Sequence, residues 1–545
     1  MRRTVRQVSY VPSVHTEGVQ RYVYWFAFLS FVISLGLLLG SVTAAFPTNK
    51  VLDVSTLAGV AFSLGVLIFI TWRDLSFSYV TLGVIFVLGL SLRYLPYFAT
   101  GHLYGGTDAV YTYSALSSFF ASGAFVPDTL TPTHAFPGLF HLYQFLYLQT
   151  GLTHEQLAMW IHPLINALSV LVIFAFAAKV WNLRVAVLAA ALFGLDIVVI
   201  RLGGELRQEA VGILFYALVY WSLLRNRTST VATTVVKLLL IASTVITHFV
   251  TSANLIALLL VYTVAELWLE LTTEDKRKTS SVTTLAVVLI LLISFIFYLA
   301  DTTADRLIIT AANIITELLQ AEFTSVGQEL AFDHYGLLVT VATWLFRAVL
   351  VAASTGCFVT FFKTKRPAYF LISVLSGLYA VLAVVSSVAP LGLNSFRFYH
   401  LLAVSGSLVI AVAFSKLYDN RARWVIPAFV SVFTALYTIS SIQRFPTEIM
   451  PALASTRPTS GVDAIEQRYL AQDFSASRMT HYIKDSTCLV GNAHSALVFR
   501  GLGRHEKVFE GELPSGACSN VLYTSVPGTD APATVYDNGV STLTW

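Results

Sequence analysis

Windows of about 20 mostly apolar residues, long enough at a 1.5 Å rise to cross a bilayer, recur thirteen times along the chain. They fall near 23–45, 54–72, 77–96, 160–181, 185–201, 210–224, 234–250, 252–270, 282–300, 336–362, 368–389, 399–416 and 424–442. The pattern predicts an all-α polytopic membrane protein with about 13 transmembrane helices. A polar segment, 1–22, precedes the first window, which is long and lacks a small-residue cleavage site, so a retained span is expected rather than a signal peptide. Past Arg444-Phe445-Pro446 the membrane pattern ends. Residues 443–545 alternate short strand-like runs (CLVGN, ALVFR, VLYTS, ATVYDNG) with turn residues, which predicts a small α/β or β-rich C-terminal domain.

Composition agrees: 56% of the 545 residues are hydrophobic and 12% charged, for a net charge of +4. A soluble domain carries roughly 25% charge, so a water-facing globule is excluded. So is a polyelectrolyte nucleic-acid binder. Cationic loops lie on the cytoplasmic side, and alternate loops here differ sharply. With the N-terminus inside, 18 basic residues fall on inner segments: Arg2, Arg3, Arg6, Arg21, Arg73, Lys179, Arg184, Arg225, Arg227, Lys276, Arg277, Lys278, Lys363, Lys365, Arg366, Lys416, Arg421 and Arg423. The outer segments hold six: Lys50, Arg93, Arg201, Arg207, Arg306 and Arg397. An N-inside, C-outside topology follows. It makes 1–22 cytoplasmic, 23–442 the transmembrane domain, and the long segments 97–159, 301–335 and 443–545 extracytoplasmic.

Candidate chemistry therefore gathers outside. In 97–159, Gly105-Gly106-Thr107 leads to Asp108, after which Val110, Tyr113, Leu116 and Phe120 recur at helical spacing, as in a helix lying in the interface. Asp108 suits a plain helix N-cap as well as a site where a glycine-rich backbone approaches a ligand. A run starting at Pro137 predicts a second, aromatic helix with Tyr143 and Tyr147 at headgroup depth. Thr153 and Gln156 have the spacing of a capping box, with Leu152 and Leu157 as its staple. The next outer segment packs Glu205, Arg207 and Glu209 after Gly203-Gly204; on one helix the two glutamates share a face and could jointly hold a divalent cation, or simply cap the helix in solvent. His248 closes one span, and Arg397 and His400 open another, the arginine suited to bidentate phosphate binding. Arg347, an intramembrane charge, calls for a partner, with Asp196 a candidate. Glu317 and Glu322 in 301–335 read as a solvated face. Cys357 reads as core filling, while Cys488 and Cys518 lie where a disulfide is permitted.

Together, GGTDAVYTYSALSSFFASG, HAFPGLFHLYQFLY, GGELRQE and NSFRFYH resemble the GT-C class of integral-membrane glycosyltransferases, of archaeal type and distantly like oligosaccharyltransferase catalytic subunits. The resemblance covers about 77–442. It departs from oligosaccharyltransferases in lacking W-W-D-Y-G, in carrying E-x-R-x-E where they carry D-x-D, and in its extra leading hairpin. It implies a plasma-membrane enzyme that moves a sugar from a polyprenyl-phosphate-linked donor to a hydroxyl of a glycan, lipid or protein acceptor, on the extracytoplasmic face and with inversion. Asp108 stands at the family's general base. Glu205 and Glu209 stand at its metal or substrate carboxylates, which would take Mg or Mn, and Arg207, Arg397, His248 and His400 would meet the phosphate. The competing reading from another class is a secondary transporter or flippase of lipid-linked sugars. That class places polar residues and broken helices near the midplane, often in internal repeats, and no repeat is visible here.

Overall fold

The computed structural model describes residues 14–45, 54–100, 107–122, 136–225, 231–272, 280–299, 337–388, 396–418, 424–448, 487–491, 508–510, 520–525, 534–537 and 542–544. Its helices are α1 (Val14–Ala45), α2 (Val54–Arg73), α3 (Ser78–Thr100), α4 (Thr107–Ser122), α5 (Gly138–Thr150), α6 (His154–Gln156), α7 (His162–Val180), α8 (Leu183–Gly194), α9 (Ile197–Gly204), α10 (Gln208–Arg225), α11 (Val231–Thr247), α12 (Phe249–Thr272) and α13 (Ser280–Leu299), followed by α14 (Leu337–Thr364), α15 (Pro367–Val388), α16 (Phe396–Leu417) and α17 (Val425–Glu448). Among the described residues five helices are long and apolar enough to cross a membrane, the bent pair α8 and α9 forms a sixth candidate, and seven shorter apolar helices accompany them. The protein is a multi-pass membrane protein. The segment 301–335 lies outside the described residues.

The centre of the bundle is α8. Every residue from Val185 to Gly194 is buried, as expected of a helix apolar all round, and α3, α7 and α16 pack around it. On the periphery, α1 exposes Tyr22, Phe26, Leu29 and Leu37, as suits a lipid-facing surface. Its Tyr24 is turned inward and shares hydrogen bonds with Thr81, which also meets Thr71 at 2.6 Å.

Two segments of the loop 97–159 fold as their patterns predict. In α4, Leu116 is buried and Ser118 exposed; α5 begins after Pro137 and ends at Gly151, whose φ of +70° is the left-handed C-cap that glycine adopts without a Cβ penalty. The capping box is formed. Thr153 Oγ1 accepts from Gln156 N at 3.2 Å, and Gln156 Oε1 accepts from Thr153 N at 2.9 Å. From there α6 runs through a π turn, Leu157–Ile161, into α7. Tyr143 is fully buried, while Tyr147 on the same helix is exposed.

The predicted span 185–201 is also corrected. It is broken into α8 and α9, bent by 59°, and Asp196 caps the second half by accepting from Val198 N and Val199 N. In the C-terminal segment five strands, β1 (Thr487–Gly491), β2 (Val508–Glu510), β3 (Asn520–Ser525), β4 (Thr534–Asp537) and β5 (Thr542–Thr544), form one sheet in the order β2-β1-β3-β5-β4. β1 is parallel to β2 and β3, and β5 is antiparallel to β3 and β4. Cys488 lies in β1 opposite Val521. Cys518 and the run ALVFR lie outside the described residues.

The loop helix α5 is held to the bundle by a close backbone approach. A Cβ on Gly138 would come within 2.9 Å of Thr247 Cα and 3.0 Å of Ile246 O, atoms that cannot turn aside. Gly138→Ala is therefore expected to push α5 from α11 and destabilise the fold by about 1–3 kcal/mol. Thermal unfolding in detergent measures it; an unchanged midpoint contradicts the packing.

Candidate functional site

The segment Gly203-Gly204-Glu205-Leu206-Arg207-Gln208-Glu209 crosses the junction of α9 and α10, and Leu202 through Val211 are all buried. Glu205 and Glu209 do not share a helix face, because the chain leaves helical geometry at Glu205 and resumes at Gln208. That corrects the i,i+4 premise. A break in an apolar environment frees backbone groups that water cannot satisfy, and α7 supplies the partners. The Arg207 N–H donates to His162 Nε2 at 3.3 Å, so the ring proton is on Nδ1, which donates to the Tyr143 hydroxyl at 2.7 Å. One turn on, Asn166 Nδ2 donates to Ala210 O at 3.3 Å.

Beneath the junction lies Arg93, a fully buried guanidinium. Its Nε donates to Asn166 Oδ1 at 2.7 Å, and Nη1 donates to Gly89 O at 2.7 Å and Gly194 O at 3.2 Å. The Gly-Gly pair follows from this packing. A Cβ on Gly203 would meet Asn166 Oδ1 at 2.3 Å and Arg93 Nε at 2.7 Å, and one on Gly204 would meet Arg93 O at 3.2 Å. Arg93 Nη2, the Tyr97 hydroxyl and Gln208 Oε1 are buried without a hydrogen-bond partner among the described residues.

Glu205 is enclosed by two arginines. Arg201 Nε donates to Oε1 at 3.0 Å and Arg207 Nε to Oε2. Burial opposes its ionisation, but the charges of Arg207 and Arg201 outweigh burial and hold the carboxyl below the usual carboxylate range. The triad Arg201–Glu205–Arg207 carries a net charge of about +1 when all three are ionised. Glu209 faces another way. Its Oε1 lies 3.3 Å from His248 Nε2, close enough to pair but not aligned as a hydrogen bond. His248 Nδ1 accepts from Thr251 N at 3.3 Å, which puts the proton on Nε2, toward Glu209.

The structure thus brings Glu205, Arg207, Glu209 and His248 to one region, and adds Arg201, which sequence reasoning counted only as an outer charge although it stands four residues before Glu205. His162 and Asn166 were missed as well; their signal is a polar i,i+4 pair in an apolar span. Asp108 is the second residue of α4, and Arg397 and His400 lie in the first turns of α16; their side chains lie outside the described residues. Asp196 accepts from the Tyr437 hydroxyl at 2.7 Å besides its capping bonds, and Arg347 lies over Trp344.

The donor set bears on a divalent cation. Both oxygens of Glu205 already accept from arginines, whose positive charge opposes a cation there. Glu209 and His248 are an oxygen and a nitrogen donor suited to Mg, Mn or Zn, but among the described residues no group of three His, Cys, Asp or Glu side chains forms a metal site.

No protein-family model and no curated protein matches the sequence. Solved structures do match its fold. The Archaeoglobus fulgidus oligosaccharyltransferase in its apo form is 13% identical, with a TM-score of 0.54 over 82% of this chain and 66% of that chain. Its complex with Zn and sulfate is 12% identical, with a TM-score of 0.50 over 79% and 62%. ArnT from Cupriavidus metallidurans bound to undecaprenyl phosphate is 14% identical, with a TM-score of 0.45 over 86% and 97%. This chain spans under two thirds of the length of the oligosaccharyltransferase. Its fold is distantly GT-C-like.

Two outcomes follow from the junction. Gly203→Ala forces Asn166 and Arg93 apart and is expected to cost about 1–3 kcal/mol, read as a lower unfolding midpoint in detergent. Because the native pKa of Glu205 is lowered, its stabilisation is fully present above about 4.5, the ordinary value, and is lost as the pH falls through the native value. The stability gap between wild type and Glu205→Gln should therefore shrink on acidification; a gap that stays constant from neutral pH to strong acid contradicts the pairing.

Proposed function

We propose that this protein is a GT-C-type membrane glycosyltransferase that moves a sugar from a polyprenyl-phosphate-linked donor to an acceptor hydroxyl on the extracytoplasmic face of the plasma membrane. The observation that carries the reading is a triad of buried Glu205 and Arg207 with partly exposed Arg201, whose own charges sum to about +1, beside an acid and an imidazole at a helix junction of a GT-C-like fold. A phosphate-bearing lipid suits it: the polyprenyl chain stays in the bilayer while the anionic headgroup meets the charge.

In the proposed mechanism Asp108 is the general base. It removes the proton from the acceptor hydroxyl as that oxygen bonds to the anomeric carbon; the bond from that carbon to the phosphate oxygen breaks, and polyprenyl phosphate leaves with the electron pair. One base and one displacement invert the anomeric centre. Negative charge growing on the leaving phosphate is stabilised by the Arg201–Glu205–Arg207 triad and by Arg397, with His248 and His400 as further donors. Pre-positioning matters here because these groups need not reorganise during the reaction.

Glu209, with His248, is the pair available to a divalent cation, Mg or Mn, on this side of the junction. Such a cation, when bound, supplies further neutralisation of the phosphate. The archaeal oligosaccharyltransferase complex with Zn and sulfate supports the view that this fold accepts a cation and an oxyanion. The domain division carries over as part of the proposal: transfer is the work of 23–442, with 97–159 and 301–335 shaping the outer cleft and 443–545 standing outside the membrane. Thirteen spans with an inner N-terminus remain the proposed topology.

Asp108→Asn is expected to abolish transfer from a radiolabelled polyprenyl-phosphate sugar panel, a loss of at least about a hundredfold, with the unfolding midpoint unchanged. EDTA arms report on the Glu209–His248 cation. Wild-type turnover by the variant sinks the base assignment, and binding of a donor without transfer by the wild type moves the reading to a flippase.

A further inference from the structure

The opposite end of the bundle gathers cations that the transferase reading does not use. α14 ends at Thr364 and α15 starts at Pro367, so Lys363 in the last turn of α14 and Lys365 and Arg366 in the two-residue turn are crowded together, and all three are exposed. Lys416, in the last turn of α16, joins them: its Nζ lies 4.2 Å from the centre of the Tyr369 ring, and Arg366 and Lys363 act on it as like charges. Arg184, in the first turn of α8, adds a fourth helix end. Its guanidinium lies 4.4 Å over Tyr418 and its Nε donates to Trp72 O at 2.8 Å, while the neighbouring Asn182 bonds Ser415 at 3.0 Å.

Two features separate this patch from an ordinary solvated face. First, two of the charges, Lys416 and Arg184, are held by aromatic rings and a carbonyl, which fix a cation without neutralising it. None of Arg184, Lys363, Arg366 and Lys416 forms an ion pair with a described carboxylate. Second, Lys365 has φ +53°. This left-handed position closes a helix, and glycine fills it without strain, whereas a lysine there costs on the order of a hydrogen bond's worth of stability. Charge stands where glycine would relieve the backbone.

The rim says what the anion is attached to. Phe362, Leu417 and Trp424 are exposed large apolar residues beside these cations, the mixture found where a membrane protein meets headgroups. Arg73 stacks on Trp424 at 3.3 Å in the same belt. Along α16 this patch is 19 residues from Arg397, about 29 Å at 1.5 Å per residue. It therefore faces the other leaflet.

We propose that the Lys363–Arg366 turn, with Lys416 and Arg184, is a binding site for the phosphate of an anionic phospholipid in the leaflet opposite the GT-C-like junction. The ligand is a lipid phosphodiester, bound by Lys and Arg donors, with its acyl chains against the apolar rim. This inference stands apart from the transferase reading and needs only that the chain crosses the membrane.

The test is native mass spectrometry of the full-length protein released from bilayers with equal amounts of phosphatidylglycerol and phosphatidylcholine. Wild type is expected to retain phosphatidylglycerol selectively. A Lys363→Gln, Arg366→Gln, Lys416→Gln triple variant is expected to lose that selectivity by at least about tenfold, since each basic residue near an anionic surface contributes roughly fivefold. Lys365→Gly is expected to weaken retention while keeping or raising the unfolding midpoint in phosphatidylcholine alone, a combination that a purely structural turn does not produce. It decides the matter should the triple variant fail to fold. Equal retention of the two lipids by wild type overturns the proposal, as does undiminished selectivity in the variants. Displacement of the retained lipid by excess inorganic phosphate identifies a soluble-anion site and overturns the lipid assignment.

Discussion

A chain that interrupts its helices inside an apolar bundle must satisfy the freed backbone groups from within, since an unpaired amide there costs several kcal/mol. Two such interruptions occur within about a dozen residues, at Gly194–Asp196 and at Glu205–Arg207, and one brace serves both. Arg93 donates to Gly194 O at the first and, through Asn166, is tied to Ala210 O beyond the second. His162 takes the Arg207 N–H. The cost of burying a guanidinium is offset only because it bonds to three oxygens at once, and it explains why the flanking positions 89, 203 and 204 are glycines: a Cβ there would occupy the space of the brace. The placement of Glu205, Arg207 and Glu209 depends on this arrangement.

Once the junction is fixed, its electrostatics follow. Glu205 cannot be buried alone, and with Arg201 and Arg207 it forms a unit whose own charges sum to about +1. Breaking such a unit leaves an uncompensated charge, which is more costly than the pair itself is stabilising. Glu209, by contrast, is opposed by an imidazole that becomes cationic only on protonation. The two glutamates that look equivalent in E-x-R-x-E therefore differ in surroundings: Glu205 lies between two arginines and Glu209 lies against an imidazole.

What could be read from the sequence was local. The Thr153–Gln156 box, the Pro137 start and the α4 periodicity each depend on residues within one or two helical turns, and each formed. The bend after Gly194 was not legible, because Leu195 and Ile197 continue the apolar run and glycine is common in membrane helices. The shared face expected for Glu205 and Glu209 rested on helix continuity across Leu206, which tertiary bonds override. The pairings of Arg93, His162 and Asn166 were out of reach for a different reason: their partners lie 73, 45 and 44 residues away, and no spacing rule connects them. The strands CLVG and VLYTS were visible as runs, while their parallel pairing was not.

The broken helix also bears on the competing transporter reading, for which interrupted helices are a signature. In that class a half-helix N-terminus points its positive dipole end at an anionic substrate in a cavity. Here the N-terminus of α9 is already filled by the carboxylate of Asp196, which accepts from two backbone amides and from Tyr437. An incoming anion would have to displace a tethered one that already satisfies the same donors. At the other end of the interruption α9 gives way to the Arg201–Glu205–Arg207 triad, whose hydrogen bonds tie the two helices together. The break is therefore a fixed brace, and its first helix N-terminus is not an open anion seat of the kind a transporter uses.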